Sequence, residues 1–264
     1  MTNLLFPALA IGAIGLFFGA LLAFASIVFK VEKDERIDQV CEFLPGANCG
    51  GCGYTGCSAL AEAIVQNGEA ATKCNLMTAE NNASICAIMG IKAGKIVKKS
   101  ARLRCAGTTE ACKPRYDFTG IEDCYTAMQL NGGHKSCEFG CLGLGSCVAA
   151  CEFDAIEIKD GIALIHQDKC TGCGRCVNTC PRNIIELAPV KDPVYVACHS
   201  TDKGTLVRNY CSAGCIGCKK CEKVCEAGAI SVENNLAHID YEKCNVCGAC
   251  VEACPKQIIH RVDI

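Results

Sequence analysis

Three cysteine runs recur in the second half of this chain at one spacing, and that spacing constrains the fold more than any other feature. Cys170, Cys173, Cys176 and Cys180, followed by Pro181, read C-x2-C-x2-C-x3-C-P. Cys244, Cys247, Cys250 and Cys254, followed by Pro255, repeat the pattern without change. Cys215, Cys218, Cys221 and Cys225 repeat it with Glu226 in place of the proline. In such a run three cysteines wrap one 4Fe-4S cubane while the fourth reaches the other cluster of a pair. Zinc normally takes its four ligands as two separated pairs, so three unbroken runs make zinc a poor reading. The chain carries 27 cysteines in 264 residues, enough for a disulfide scaffold. The odd count and the close spacing instead favour ligation in a reducing compartment. Aromatic residues make up only 6% of the chain and Trp is absent, so clusters are expected to replace much of the usual core.

A looser fourth run, Cys137-x3-Cys141-x5-Cys147-x3-Cys151, ends in Glu152. Its tail, Cys147-Val-Ala-Ala-Cys151, parallels the tails of the regular runs, so the same unit occurs four times. We read these as two tandem two-cluster modules. Alternating apolar residues from Ile156 to Ile165 around Asp160-Gly161, and from Ile230 to Ile239 around Asn234-Asn235, predict one β-hairpin within each module. The fourth-ligand swap then groups Cys137, Cys141 and Cys147 with Cys180, and Cys170, Cys173 and Cys176 with Cys151. In the second module it groups Cys215, Cys218 and Cys221 with Cys254, and Cys244, Cys247 and Cys250 with Cys225.

A fifth constellation lies upstream: Cys49, Cys52 and Cys57, set among glycines, then Cys74 after sixteen residues. The glycines let the backbone fold tightly around a metal centre, and a short helix over Ser58–Gln66 carries the chain away before Cys74 returns. A fifth 4Fe-4S cluster is the favoured occupant, with zinc the alternative. Before it, from Leu4 to Phe29, the chain is uncharged and almost wholly apolar. As a helix at about 1.5 Å per residue that stretch exceeds a hydrocarbon core of roughly 30 Å. No Lys or Arg precedes it and it is long for a signal peptide, so a retained single-pass anchor is expected. Lys30, Lys33 and Arg36 follow it, which places the large domain on the cytoplasmic side. Gly15 and Gly19 form a GxxxG pair that suits close helix packing, though Gly is common in membrane helices anyway.

The anchor, the segment Asn48-Cys-Gly-Gly-Cys-Gly-Tyr-Thr-Gly-Cys57 with Cys74, and the ferredoxin-like modules resemble the B subunit of the Rnf complex across essentially the whole chain. Gly120-Ile-Glu-Asp-Cys124 and Gly140-Cys-Leu-Gly-Leu-Gly-Ser-Cys147 are similar to its longer members. The resemblance implies a subunit of an ion-translocating ferredoxin:NAD oxidoreductase of the bacterial cytoplasmic (inner) membrane. It would accept electrons from reduced ferredoxin and relay them to membrane flavin and iron–sulfur subunits, ultimately to NAD. Entry is expected at the C-terminal modules and exit through the N-terminal cluster. One apolar helix without intramembrane charge offers no ion path, so pumping would reside in other subunits. Glu152 and Glu226 depart from the proline that family runs often carry. An electron-transfer subunit of another membrane dehydrogenase is the alternative.

The fold class expected is α+β. Its parts are a transmembrane anchor at 1–31, a 4Fe-4S domain at 32–80, a connecting segment at 81–136, and ferredoxin-like modules at 137–190 and 191–264. Cys41, Cys86, Cys105, Cys112, Cys124, Cys198 and Cys211 fall outside the five sets. They read as buried thiols, or Cys105, Cys112, Cys124, Cys198 or Cys211 supply a sixth cluster. Lys92, Lys95, Lys98, Lys99, Arg102 and Arg104 crowd a stretch without acidic residues. Such a patch suits an acidic ferredoxin or anionic lipid, or is simply a solvated face. The five histidines show no ligand spacing, Gly140-x2-Gly143-x-Gly145 is no nucleotide loop, and nothing suggests nucleic acid.

Overall fold

The computed structural model describes residues 2–28, 34–191 and 194–262. Helix α1 (Thr2–Val28) covers the apolar segment. Its side chains are described over residues 11–25, and those from Ile11 to Phe24 stand exposed, Leu16 at 77% and Phe24 at 68%. Among the described residues no helix is long and apolar enough to cross a membrane. The expected span also takes in the side chains of 4–10 and 26–29, which lie outside them.

Three capped helices form the N-terminal domain. Asp34 accepts the amide of Arg36 to open α2 (Glu35–Phe43). Thr78 accepts that of Asn81 to open α4 (Ala79–Met89), which ends at the left-handed Gly90. Between them α3 (Cys57–Asn67) begins at a glycine that has no capping side chain. Asn48 supplies the missing acceptor from nine residues upstream, taking the Cys57 N–H at 2.8 Å. Val40, Leu60, Ile64 and Ile85 meet in the buried core that the helices share.

Among the described residues, the remainder holds four two-stranded antiparallel sheets. Both predicted hairpins form: β2 (Ile156–Lys159) with β3 (Ile162–Ile165), and β6 (Ile230–Glu233) with β7 (Leu236–Ile239). Their turns carry positive φ at Asp160 and Gly161 and at Asn234 and Asn235, as tight hairpin turns require. The other two sheets join the ends of each module. Strand β1 (Lys99–Leu103), from the segment read as a connector, pairs with β4 (Ile185–Pro189). In the second module β5 (Val194–Val196) pairs with β8 (Ile259–Arg261). The two modules thus share one plan: an opening strand, a cysteine run, a hairpin, a second run and a closing strand. Their cores mix aliphatic residues with cysteines, Ile184, Ile185 and Cys176 in the first and Ile258, Leu236 and Cys221 in the second.

Candidate metal centres

Each cysteine run is a loop bent by two residues of positive φ that flank its second position. They are Gly172 and Gly174, Gly217 and Lys219, and Val246 and Gly248. Gly143 and Gly145 have the same conformation, so the loose run is a regular one beginning at Cys141, with Leu144 where the others have cysteine. Cys124 lines the room beside that loop. It opens helix α5 (Cys124–Gln129), and its N–H donates to Ser146 Oγ at 2.8 Å, while Ser146 donates to Asp123 at 2.8 Å. Cys124, Cys141, Cys147 and Cys180 line one room of about 330 Å³, whereas Cys137 lies elsewhere. The sequence-based grouping with Cys137 differs here because nothing in local spacing marks Cys124.

Cys49, Cys52, Cys57 and Cys74 line a room of about 360 Å³. Cys215, Cys218, Cys221 and Cys254 line one of about 340 Å³, and Cys225, Cys244, Cys247 and Cys250 another of about 360 Å³. Cys151, Cys170 and Cys173 surround Cys176 closely enough that their charge would oppose its ionisation. Here the structure brings together the same residues that the spacing groups.

A further room takes in four of the seven leftover cysteines together with Cys137. Cys105, Cys112, Cys137, Cys198 and Cys211 line a cavity of about 370 Å³, the same size as the others. It lies at the seam between modules. Cys105 follows β1 as Cys198 follows β5, and each thiol accepts the N–H of the first cysteine of the adjoining run. Cys141 donates to Cys105 at 3.3 Å and Cys215 to Cys198 at 3.3 Å. With Cys124 placed in the first module, only Cys41 and Cys86, in the N-terminal domain, stay outside all six sets.

The rooms form a series. The backbone of Gly51 presses on that of Cys173, which lines the N-terminal room while belonging to the next set. Cys147 feels the charge of Cys176 across the first module. The short helices Lys220–Lys223 and Ala249–Ala253 touch across the second. Glu152, where two of the other runs have proline, pairs with Arg175 of the neighbouring loop.

Burial pushes the thiols of Cys137, Cys147 and Cys176 up to about 12, and those of Cys141 and Cys221 up to about 11, with neighbouring cysteines adding to the effect in each case. Such thiols stay neutral unless a cationic centre holds them as thiolates. The fit is to a cluster. A zinc ion at about 2.3 Å from four sulfurs draws them to a point. The cysteines here stand apart around open rooms, and among the described residues no three His, Cys, Asp or Glu converge on a single ion. Amides already point at ligand sulfurs, Ala101 N–H at Cys170 and Ala229 N–H at Cys225, each at 3.3 Å.

Comparison with known proteins agrees. Residues 44–75 match a family described as an Fe-S cluster domain, 163–186 a 4Fe-4S binding domain, and 214–258 a 4Fe-4S dicluster domain. The B subunit of the ion-translocating oxidoreductase complex of Methanosarcina acetivorans is 45% identical, over 98% of this chain and 99% of its own length. The chain belongs to the family of B subunits of Rnf-type ion-translocating oxidoreductases. Another B subunit, of the Na(+)-translocating ferredoxin:NAD(+) oxidoreductase complex of Acetobacterium woodii, is 47% identical over 98% of this chain and 78% of its own length. That of the proton-translocating complex of Clostridium ljungdahlii is 38% identical over 95% and 91%. The names of these last two relatives carry different coupling ions, Na+ and H+.

Proposed function

We propose that this Rnf-type B subunit is the iron–sulfur electron relay of a membrane-bound, ion-translocating ferredoxin:NAD oxidoreductase. The observation that carries the reading is the series of five cysteine-lined rooms together with the Cys151, Cys170, Cys173 and Cys176 set that lies between the N-terminal room and the first module's room. Bound 4Fe-4S clusters supply one-electron transfer. The chain contributes their spacing, their burial and the N–H groups that tune them. The ligand sets we propose are Cys49, Cys52, Cys57 and Cys74; Cys151, Cys170, Cys173 and Cys176; and Cys124, Cys141, Cys147 and Cys180. Those of the second module are Cys215, Cys218, Cys221 and Cys254, and Cys225, Cys244, Cys247 and Cys250. The seam offers five thiols where a cubane takes four, and we count it as the sixth site.

We also propose that α1 anchors the subunit. Its 27 residues span about 40 Å at 1.5 Å per residue, against a hydrocarbon core of roughly 30 Å. The exposed apolar side chains around it need a cover. The cysteine domains then face the cytoplasm, with reduced ferredoxin as donor and the complex's other redox subunits as acceptors. The N-terminal room sits next to the anchor in sequence and marks the exit, and the second module the entry.

The test is iron and acid-labile sulfide per chain on anaerobically prepared protein, followed by bleaching with reduced ferredoxin. Six cubanes require about 24 of each. Stoichiometric zinc, or a chromophore that ferredoxin does not bleach, would overturn the relay.

A further inference from the structure

Lys135 is an unusual residue to find at the seam. It is 3% exposed and lines the seam room. Its ammonium donates to the carbonyls of Gly107 and Gly161, each at 2.8 Å. Gly107 lies two residues past Cys105, and Gly161 sits in the β2–β3 turn. Among the described residues Lys135 forms no ion pair with any carboxylate. A buried charge without a counter-charge is costly, and proteins rarely keep one unpaired. The anions within reach are thiolates. Cys105, Cys112 and Cys137 line the room with it, and Gly161, whose carbonyl it holds, packs against Gly143 in the adjoining loop of the first module. Lys135 therefore stands where two ligand sets meet.

We infer that Lys135 is the counter-charge of the seam site, a positioning residue that makes this site easier to reduce than an equally buried one without a cation. The inference rests on the reading that the seam holds a cluster. A cubane bound by four thiolates is anionic in both common redox states and more so when reduced. A fixed ammonium stabilises the reduced state more and raises the potential. Placed at the junction of two modules, this favours brief residence of an electron midway along the series. Because its two carbonyl partners are neutral, removing the charge leaves no carboxylate stranded.

The experiment compares full-length wild type with Lys135→Gln and Lys135→Arg by iron content and EPR redox titration. The seam signal is identified as the one that disappears in the double variant Cys112→Ser, Cys211→Ser, which leaves three of the five thiols. Lys135→Gln can keep the contacts to Gly107 and Gly161 but not the charge. It is expected to shift the seam signal alone, at least tenfold in its reduced-to-oxidised ratio at fixed potential, or about 59 mV lower for a one-electron couple. Lys135→Arg is expected to hold the wild-type value. Loss of the seam iron in the Gln variant with retention in the Arg variant supports the same conclusion. Unchanged potentials at full iron content overturn it, as does equal iron loss in both variants, which would mean shape rather than charge. Wild-type iron near 20 per chain, the content of about five cubanes, with no signal lost in the double variant, would instead remove the seam reading, and this proposal with it.

Discussion

The backbone N–H of Ala106 donates to the carbonyl of Ala197 at 2.9 Å, so Cys105 and Cys198 are held side by side where the two modules meet. Each follows its module's opening strand, which is tied down by its partner: Arg104 N–H to Ile184 at 2.8 Å, and Ala197 N–H to Ile258 at 2.7 Å. The seam is thus a product of two equivalent strand ends. It brings Cys112, Cys137 and Cys211 into the same room.

If Cys124 replaces the cysteine missing at Leu144, the exchange should be reversible. Cys124→Ser is expected to cost about four iron atoms per chain, the content of one cubane. Adding Leu144→Cys should restore them, because Gly143 and Gly145 already give that loop the bend of a complete run. Cys137→Ser should leave this site's EPR signal in place and perturb the seam's. Iron analysis and EPR on the three variants check the regrouping.

The regular runs, the hairpins and the N-terminal set were all readable from the chain because each is encoded locally. A cysteine two residues from its neighbour on a bent loop has few other places to go, and an Asp-Gly or Asn-Asn between alternating residues closes a hairpin. Cys124 escaped because its role depends on Asp123 and Ser146 pinning a helix end well upstream of the run. The seam was legible only in part: Cys105, Cys112, Cys198 and Cys211 could be named as candidates for a further cluster, but their grouping with Cys137 depends on separate segments brought together by β1 and β5 pairing with strands far along the chain. The signal that existed was a misfit: the x3 and x5 gaps of the looser run resolve once Cys137 is set aside.

Gly51 tests the contact between the N-terminal domain and the first module. A Cβ there would collide with the carbonyl of Cys173. Gly51→Ala is expected to force the domains apart at a cost of about 1–3 kcal/mol, the usual range for overpacking. Iron content should stay whole while electron arrival at the N-terminal site slows. Thermal unfolding and stopped-flow reduction of the full chain measure the two effects. An unchanged rate with lowered stability would mean that this contact is structural only.

The basic stretch is narrower than its sequence suggests. Arg102 is 2% exposed with its guanidinium 5.8 Å from the Tyr195 ring, and Arg104 pairs with Glu186 at 3.5 Å. Lys92, Lys95, Lys98 and Lys99 stay exposed. Replacing these four lysines by Glu is expected to slow ferredoxin oxidation and flatten its dependence on ionic strength, since steering by exposed charge is screened over about 10 Å at 0.1 M salt. Stopped-flow rates from low to high salt provide the check, and an unaltered salt slope would assign the patch to another surface.

His260 provides a pH test away from the cysteines. It lies on β8 against Tyr195, ring centres 5.7 Å apart, and its buried Nε2 finds no partner among the described residues. Burial holds its pKa below the ordinary value of 6.5. The folded protein therefore keeps this ring neutral at pH values where the unfolded chain would protonate it. Below about 6.5 the unfolded state binds the extra proton, so stability falls as pH drops toward the folded pKa and is unaffected by this group above it. His134 and His199 are shifted the same way by burial and contribute in the same direction. His260→Gln should remove one share of that slope, leaving the variant's loss of stability between pH 7.5 and 6 smaller than the wild type's. Equilibrium denaturation at several pH values, done anaerobically so that both proteins keep their iron, measures the difference. Parallel curves would show that His260 is protonated equally in both states and that its burial carries no charge penalty.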